Sequence, residues 1–216
     1  MERLLILFKF GHCDHLQQLR MHGLLHAKPQ RYFQELESDP QRGDRTETTD
    51  HVFQASEVTK LTITSEHPPR NFGITSDHFR SPLRMSVKGE RCNIYCMFSI
   101  TQPTNPLLDE RNLAGGGWES FVAIFNTQIF LDRVSLAASS RRLRCEYGLV
   151  DYYDPESYSG ETGPFRKPST FAHQKEFRFI FQPGSESPIN LEIGSLVDIT
   201  SKVLPSSDFN RLIELC

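Results

Sequence analysis

The sequence predicts an α+β fold that is richer in strand than in helix, formed by a single domain over residues 1–216. A chain of this length can bury one good core but is short for two. The 16 phenylalanines gather in short apolar runs such as Glu-Phe-Arg-Phe-Ile-Phe at 176–181, and such runs favour strands. No internal repeat or linker divides the chain, so we expect one domain with a few helices beside its strands.

The N-terminal region predicts a strand, a helix and a glycine stop. Residues 4–10 form an apolar run that is too short for a buried helix, which indicates a buried strand. Asp14 can cap the helix that follows, and Leu16, Leu19 and Leu24 are expected on its apolar side. Gly23 is expected to end this helix as a C-terminal cap in the left-handed conformation.

The rest of the chain predicts further strands with two more helices. The strands are expected at residues 58–64, 92–100, 118–125, 144–153, 176–181 and 189–193. Residues 66–90 are rich in proline, histidine and arginine, which predicts a long loop with room for one short helix. Asn126 is a good cap for a helix that ends near Ala138. A short helical turn is expected at 169–174 and a closing helix at 209–215.

The net charge of −3 argues against general attraction to nucleic acid, although local basic clusters remain. One cluster comprises Arg80, Arg84, Lys88 and Arg91, and the other comprises Arg141, Arg142 and Arg144. Either cluster can contact a nucleic acid strand or be an ordinary solvated face. Both alternatives stay open at this point.

Metal binding and membrane insertion are not expected. The five cysteines have no repeated spacing, and His12, Cys13 and His15 have no second cluster to complete a site, so no metal is predicted. The N-terminal segment lacks the parts of a signal peptide, and no apolar stretch is long enough to span a bilayer. We therefore expect a cytoplasmic protein with no membrane association.

The strongest candidate for chemistry is the pair Gln174 and Glu176, where a turn enters an apolar strand. Residues two apart in a strand share a face, so both side chains should point into one cleft. A carboxylate there can bind a ribose hydroxyl and stabilise an oxocarbenium-like transition state, and the glutamine can orient an acceptor. Glu176→Gln is nearly isosteric and should abolish activity while preserving the fold. The alternative is that Glu176 pairs with Arg178 or Lys175 on an exposed face.

The order of these features resembles the ADP-ribosyltransferase superfamily. The resemblance rests on the strand and helix, Gly-Leu-Leu at 23–25, the aromatic pair Tyr32 and Phe33, and the C-terminal Gln-x-Glu of Gln174 and Glu176. It implies a split β-sandwich of ADP-ribosyltransferase type with flanking helices, and NAD as co-substrate. By this likeness Gln174 and Glu176 are catalytic.

The resemblance also implies four NAD-binding residues. Lys9 or its neighbour Phe10 falls at the position of the first motif, and Tyr32, with Phe33 adjacent, falls near the aromatic residue that stacks on nicotinamide. The chain departs from the superfamily because Lys9 replaces the usual arginine or histidine. A second departure is Thr-Ile-Thr-Ser at 62–65, which only loosely replaces the Ser-Thr-Ser motif.

A second resemblance covers more of the chain. Tyr32-Phe33, Glu37, Arg-Gly-Asp at 42–44, Phe-Arg-Lys at 165–167 and residues 174–178 look like a group of uncharacterised bacterial proteins found in mobile or defence-associated settings. Together the two resemblances imply an NAD-dependent mono-ADP-ribosyltransferase that acts as a toxin or anti-phage effector. The acceptor would be a nucleic acid base, in RNA or DNA, or a protein, and a protein antitoxin is an expected partner. The alternatives are a non-catalytic binding module of a defence or toxin–antitoxin complex, and an NAD glycohydrolase.

Overall fold

The computed structural model describes residues 3–35, 49–66, 69–86, 92–102, 105–114 and 118–213. The Arg-Gly-Asp triplet at 42–44 and Glu37 lie outside these ranges. Within them the chain forms a single domain of mixed α and β structure, with several antiparallel sheets and few helices. The α+β prediction is confirmed at this level. In the described part of the chain no helix combines the length and the apolar character needed to cross a bilayer.

The elements are numbered in chain order. The strands are β1 (Arg3–Gly11), β2 (Leu24–Pro29), β3 (His51–Phe53), β4 (Lys60–Glu66), β5 (Pro69–Thr75), β6 (Leu83–Met85), β7 (Asn93–Gln102), β8 (Ser120–Ile124), β9 (Arg144–Leu149), β10 (Asp151–Tyr153), β11 (Gly160–Glu161), β12 (Arg166–Pro168), β13 (Glu176–Gln182), β14 (Ile189–Glu192) and β15 (Leu204–Pro205). The α-helices are α1 (Cys13–His22), α2 (Gln30–Glu35), α3 (Glu110–Ala114), α4 (Thr127–Ser140) and α5 (Phe209–Leu212). Short 3₁₀ helices occur at Ala55–Glu57, Ser76–His78, Ser169–Gln174 and Ser206–Asp208.

Strand β7 is the centre of the main sheet. Along one edge it pairs antiparallel with β13, and β9 lies beyond β13. Along its other edge it pairs with two strands in turn: the pairs with β1 end at Phe98, and the pairs with β2 are at Asn93 and Ile94. The sheet therefore divides over residues 95–97, with β8 and β15 on one branch and β14 on the other.

The two faces of the main sheet carry different cores. One face packs against α1 and α4, with Leu16, Leu19 and Phe130 buried among strand residues. The other face carries a phenylalanine cluster built from Phe8, Phe10, Phe98, Phe121 and Phe209. Most of these rings meet edge to face or tilted. Full burial of one phenylalanine contributes about 1.5–3 kcal/mol, so this cluster is a major source of stability for this face of the sheet.

The prediction of a long loop at residues 66–90 is wrong over the described part of this stretch, although a short helix does occur at Ser76–His78. Strand β5 pairs antiparallel with β4 from Lys60↔Thr75 to Glu66↔Pro69, and β6 pairs with β3. Pro69 begins β5 in a two-stranded sheet, where a missing N–H costs least. The predicted strand 144–153 is also interrupted, because Val150 separates β9 from β10 and donates its N–H to the carbonyl of Glu176 at 3.0 Å.

The beginning of α1 also differs from the prediction. His12 occupies the N-cap position without a side-chain cap, and Asp14 lies inside the first turn, where its charge favours the helix dipole. Leu24 is the first residue of β2 and does not belong to the helix. Gly23 does close the helix as predicted, in the left-handed conformation at φ 66°.

The N-cap of α4 is confirmed and can be tested by substitution. The Asn126 side chain accepts the N–H of Ile129 at 3.1 Å. Asn126→Ala should lower the free energy of unfolding by about 1 kcal/mol, because one N–H at the helix start loses its acceptor. Urea denaturation measures the change. Asn126→Asp keeps the acceptor and should stay near the native value, so an equal loss in both variants would contradict the capping role.

Candidate functional site

Gln174 and Glu176 come together at the entrance of β13, but through a different geometry from the predicted one. Gln174 is the last residue of the 3₁₀ helix Ser169–Gln174 and does not belong to the strand. Lys175 then adopts the left-handed conformation at φ 43° and turns the chain into β13. As a result both flanking side chains reach the same ammonium group, with Lys167 Nζ 2.7 Å from Gln174 Oε1 and 2.8 Å from Glu176 Oε1.

Lys167 is a member of this site that the sequence did not single out as functional. It lies in β12, which pairs parallel with β10 so that Lys167 stands opposite Tyr152. Its side chain is only 3% exposed, and its ammonium lies 4.7 Å from the centre of the Phe171 ring. Parallel pairing between segments this short leaves no periodic signal in the sequence, so nothing in the pattern could identify it.

The Glu176 carboxylate bridges two buried cations. Oε1 accepts from Lys167, and Oε2 accepts from Arg178 Nε at 2.6 Å. The side chains of Glu176 and Arg178 are 11% and 1% exposed, because β13 is buried along both faces. The pairing with Arg178 that the sequence left open therefore exists, but it is internal. Lys175 is not a partner, since its ammonium donates to the carbonyls of Asn105 and Leu107 at 2.6 and 2.8 Å.

The two cations decide the protonation state of Glu176. Burial by itself raises the pKa of this carboxyl, but the charges of Arg178 and Lys167, with their hydrogen bonds, outweigh burial and hold the pKa well below its usual range. Glu176 is therefore ionised at neutral pH. Two cations and one anion leave this cluster, which we call the Lys167–Glu176–Arg178 cluster, with a net positive charge.

A cleft of about 490 Å³ adjoins the cluster. Its polar lining consists of Ser99, Thr101, Asp151, Tyr152, Lys175 and Glu176. Tyr152 and Ser99 fix the strand entrance, because the Tyr152 hydroxyl oxygen accepts the N–H of Glu176 at 2.9 Å and Ser99 Oγ donates to the carbonyl of Lys175 at 2.8 Å. A larger depression of about 590 Å³ lies beside Arg133 and residues 193–198, remote from these groups. The smaller cleft is the candidate site, because it alone of the two is lined by Glu176 of the buried cluster.

Lys9 and Phe10, predicted to contact NAD, do not line this cleft. Lys9 Nζ donates to the carbonyl of Cys96 at 2.6 Å and lies 4.3 Å from the centre of the Tyr95 ring. It therefore satisfies a backbone acceptor where the main sheet divides. Phe10 is 8% exposed and stacks on Trp118 with ring centres 4.3 Å apart, which makes it part of the phenylalanine cluster.

Tyr32 and Phe33 also lie away from the cleft. The Tyr32 ring meets Phe33 edge to face at 5.5 Å, and Lys28 Nζ lies 4.7 Å from its centre. Phe33 packs on a small cluster that includes Ile180, which is four residues beyond Glu176 in β13. At about 3.3 Å per residue, Ile180 lies roughly 13 Å from Glu176 along the strand, and neither Tyr32 nor Phe33 lines the cleft. Of the six predicted site residues, the structure thus brings together Gln174 and Glu176.

The remaining polar features are exposed. Arg141, Arg142 and Arg144 lie on the surface, and Arg144 pairs with Glu146 at 2.7 Å. Arg80 and Arg84 are exposed as well, whereas the other two members of that cluster lie outside the described residues. Over the part of the chain that the structure describes, no three histidine, cysteine or acidic side chains are placed to hold a metal ion.

Comparison of the chain with family models, with curated proteins and with solved structures found no significant match. The geometry of the Lys167–Glu176–Arg178 cluster and its cleft must therefore carry any functional inference. That geometry offers an ionised carboxylate, held by two cations, in the wall of a cleft that has both polar and apolar lining.

Proposed function

We propose that this chain is an NAD-dependent mono-ADP-ribosyltransferase that acts in the cytoplasm as a toxin or anti-phage effector. The observation that carries the proposal is the ionised Glu176 carboxylate in the wall of the 490 Å³ cleft, next to Gln174. Breaking the bond between nicotinamide and ribose places positive charge on the sugar, and a fixed carboxylate stabilises that charge. The pKa of Glu176 lies below its usual range, so the carboxylate keeps this charge at neutral pH.

The rigidity of the cluster supports the same chemistry. Electrostatic catalysis depends on charges and dipoles that are in place before the reaction begins. Lys167 holds the side chains of Gln174 and Glu176 together, and Arg178 fixes the second carboxylate oxygen. In this proposal Glu176 activates the nicotinamide–ribose bond and Gln174 places the acceptor. The resemblance to the Gln-x-Glu class and the exposed arginines favour a nucleic acid base as acceptor over a protein, and a cognate protein antitoxin follows from toxicity to the host.

A non-catalytic binding module is the second candidate. Both oxygens of Glu176 are already bound to cations, which is the arrangement of a structural ion-pair network. In such a module the cluster would stabilise the cleft, and NAD would remain intact. The two candidates differ in one measurable event, the release of nicotinamide.

The deciding experiment uses the full chain and NAD labelled in the adenylate. Nicotinamide release is measured with and without added RNA, DNA or cell lysate, and transfer of label to each is followed. Release with transfer supports the transferase, and release into water alone indicates an NAD glycohydrolase. Absence of release under every condition refutes both enzymatic functions and leaves the binding module.

Glu176→Asp tests the role of the carboxylate with its charge preserved. Aspartate can still compensate Lys167 and Arg178, but its carboxylate is withdrawn by one methylene from the ribose. A displacement of about 1 Å can cost on the order of 100-fold in rate, so we expect nicotinamide release to fall about 100-fold. The matched control is Glu146→Asp in β9, where the side chain is 50% exposed and outside the cleft. Native rates in Glu176→Asp, with an unchanged unfolding midpoint, would exclude Glu176 as the catalytic residue.

A further inference from the structure

We infer that Tyr152 is a further binding residue of the proposed site. Its hydroxyl donates a hydrogen bond to a ribose hydroxyl of NAD, and the same ribose hydroxyl donates a hydrogen bond to Glu176. This inference rests on the proposed function, and it assigns a residue that neither the sequence pattern nor the resemblance indicates. It concerns ligand binding in the cleft and assigns Tyr152 no role in proton transfer.

The hydrogen bond that the Tyr152 oxygen accepts leaves its hydroxyl proton available to a ligand in the cleft. Its oxygen accepts the N–H of Glu176 at 2.9 Å, which holds the hydroxyl beside the first residue of β13. A phenol has one proton to donate in addition to the bonds it accepts. Among the residues that the structure describes, no acceptor takes this proton, although the ring is largely enclosed and lines the cleft. A polar ligand atom in the cleft would complete the bonding of Tyr152.

The pair formed by Tyr152 and Glu176 matches the chemistry of a sugar hydroxyl. A hydroxyl both accepts and donates, so it is recognised best by one protonated and one ionised group side by side. Burial, followed by the nearby charge of Glu176, raises the pKa of Tyr152, which keeps this phenol protonated. Arg178 and Lys167 keep Glu176 ionised against its own burial. Donor and acceptor are thus both fixed across the physiological pH range.

Neither Ser99 nor Lys175, which also line the cleft, can replace Tyr152 in this role. Ser99 Oγ donates its proton to the carbonyl of Lys175 at 2.8 Å. The ammonium of Lys175 likewise bonds the carbonyls of Asn105 and Leu107. Of Ser99, Lys175 and Tyr152, Tyr152 is therefore the donor whose proton meets no acceptor in the described part of the chain.

The test compares substrates as well as variants. Nicotinamide release is measured for native protein and Tyr152→Phe with NAD and with analogues that lack the 2′- or the 3′-hydroxyl of the nicotinamide ribose. We expect native protein to prefer NAD over one analogue, and Tyr152→Phe to reduce that preference about tenfold. Because each enzyme is compared with itself, the ratio cancels the different intrinsic reactivity of the deoxy sugar. It also cancels any general loss caused by leaving the Glu176 N–H without its acceptor.

The matched control is Tyr158→Phe, which removes a hydroxyl bonded to the carbonyl of Glu161 outside the cleft and should leave the preference unchanged. If Tyr152→Phe does not fold, equilibrium binding of NAD and both analogues to native protein replaces it. Equal affinity for all three overturns the inference, as does an unchanged preference in Tyr152→Phe. A native protein that neither binds nor cleaves NAD refutes the proposed function itself, which is a distinct result.

Discussion

Glu176→Gln should lower the free energy of unfolding by about 3–5 kcal/mol, the usual consequence of leaving buried charges without their partner. The substitution preserves shape, and from the sequence alone it is expected to preserve the fold. The structure leads to a different prediction, because glutamine removes the negative charge that pairs with both Lys167 and Arg178, whose side chains are 3% and 1% exposed. Guanidinium denaturation measures the change. Glu146→Gln is the control, since the Arg144–Glu146 pair is exposed and should contribute at most about 1 kcal/mol.

A second variant identifies the cause of this loss. Lys167→Met removes one cation and leaves Glu176 and Arg178 as a balanced pair, so it should cost less than Glu176→Gln. In the double variant the buried charge of Lys167 is absent together with that of Glu176. We therefore expect the double variant to be no less stable than Glu176→Gln, which means strongly non-additive free energies. Additive losses would show that the charges of Lys167 and Glu176 do not interact.

The difference in unfolding free energy between native protein and Glu176→Gln should depend on pH, because the pKa of Glu176 is lowered in the fold. A group whose folded pKa lies below its unfolded value stabilises the fold fully above the unfolded value, here close to the ordinary 4.5. That stabilisation is lost as the pH falls from there through the folded pKa. The stability gap between native protein and Glu176→Gln should thus be constant near neutrality and shrink below about pH 4.5. A gap that stays the same in acid would mean that Glu176 is not held ionised by its partners.

Much of the fold could be predicted from local patterns in the sequence. The apolar runs at 92–100 and 176–181 were predicted as strands, and they are β7 and β13 of the main sheet. Gly23 and Asn126 also act as the predicted caps. The errors fall where pairing partners and not local composition decide the structure, as in β5, whose proline is tolerated because the strand belongs to a two-stranded sheet.

Only some residues of the site could be predicted from the sequence, and strand β13 shows why. Its sequence alternates phenylalanine with Glu176, Arg178 and Ile180, which predicts one face of phenylalanines and a second face that carries the polar residues Glu176 and Arg178. The structure instead covers the polar face, because the segment from β10 to the 3₁₀ helix Ser169–Gln174 brings Lys167 and Tyr152 to the carboxylate. A strand pattern shows which residues share a face. It does not show which distant segment will cover that face, so Glu176 was predicted and its partner Lys167 was not.

Gly23→Ala should destabilise the fold by more than about 3 kcal/mol, because strain and a backbone clash act together at one position. Gly23 ends α1 at φ +66°, where a side chain by itself costs about 1–2 kcal/mol. A Cβ there would also stand 2.0 Å from the carbonyl oxygen of Gly194, a backbone atom that cannot rotate away. The Gly23 carbonyl in turn accepts the N–H of Ile193, so the clash would disturb the contact that places β14 beside β2.

The matched control for Gly23→Ala is Gly163→Ala. Gly163 has the same φ of +66°, but a Cβ there meets nothing within 4 Å. Only the conformational cost remains, so Gly163→Ala should lose about 1–2 kcal/mol in the same denaturation experiment. The difference between the two variants then measures the close approach of Gly23 to Gly194, separately from the left-handed backbone. Equal losses would mean that the segment around Gly194 moves aside at little cost, and that the contact between the end of α1 and the end of β14 does not hold β14 in place beside β2.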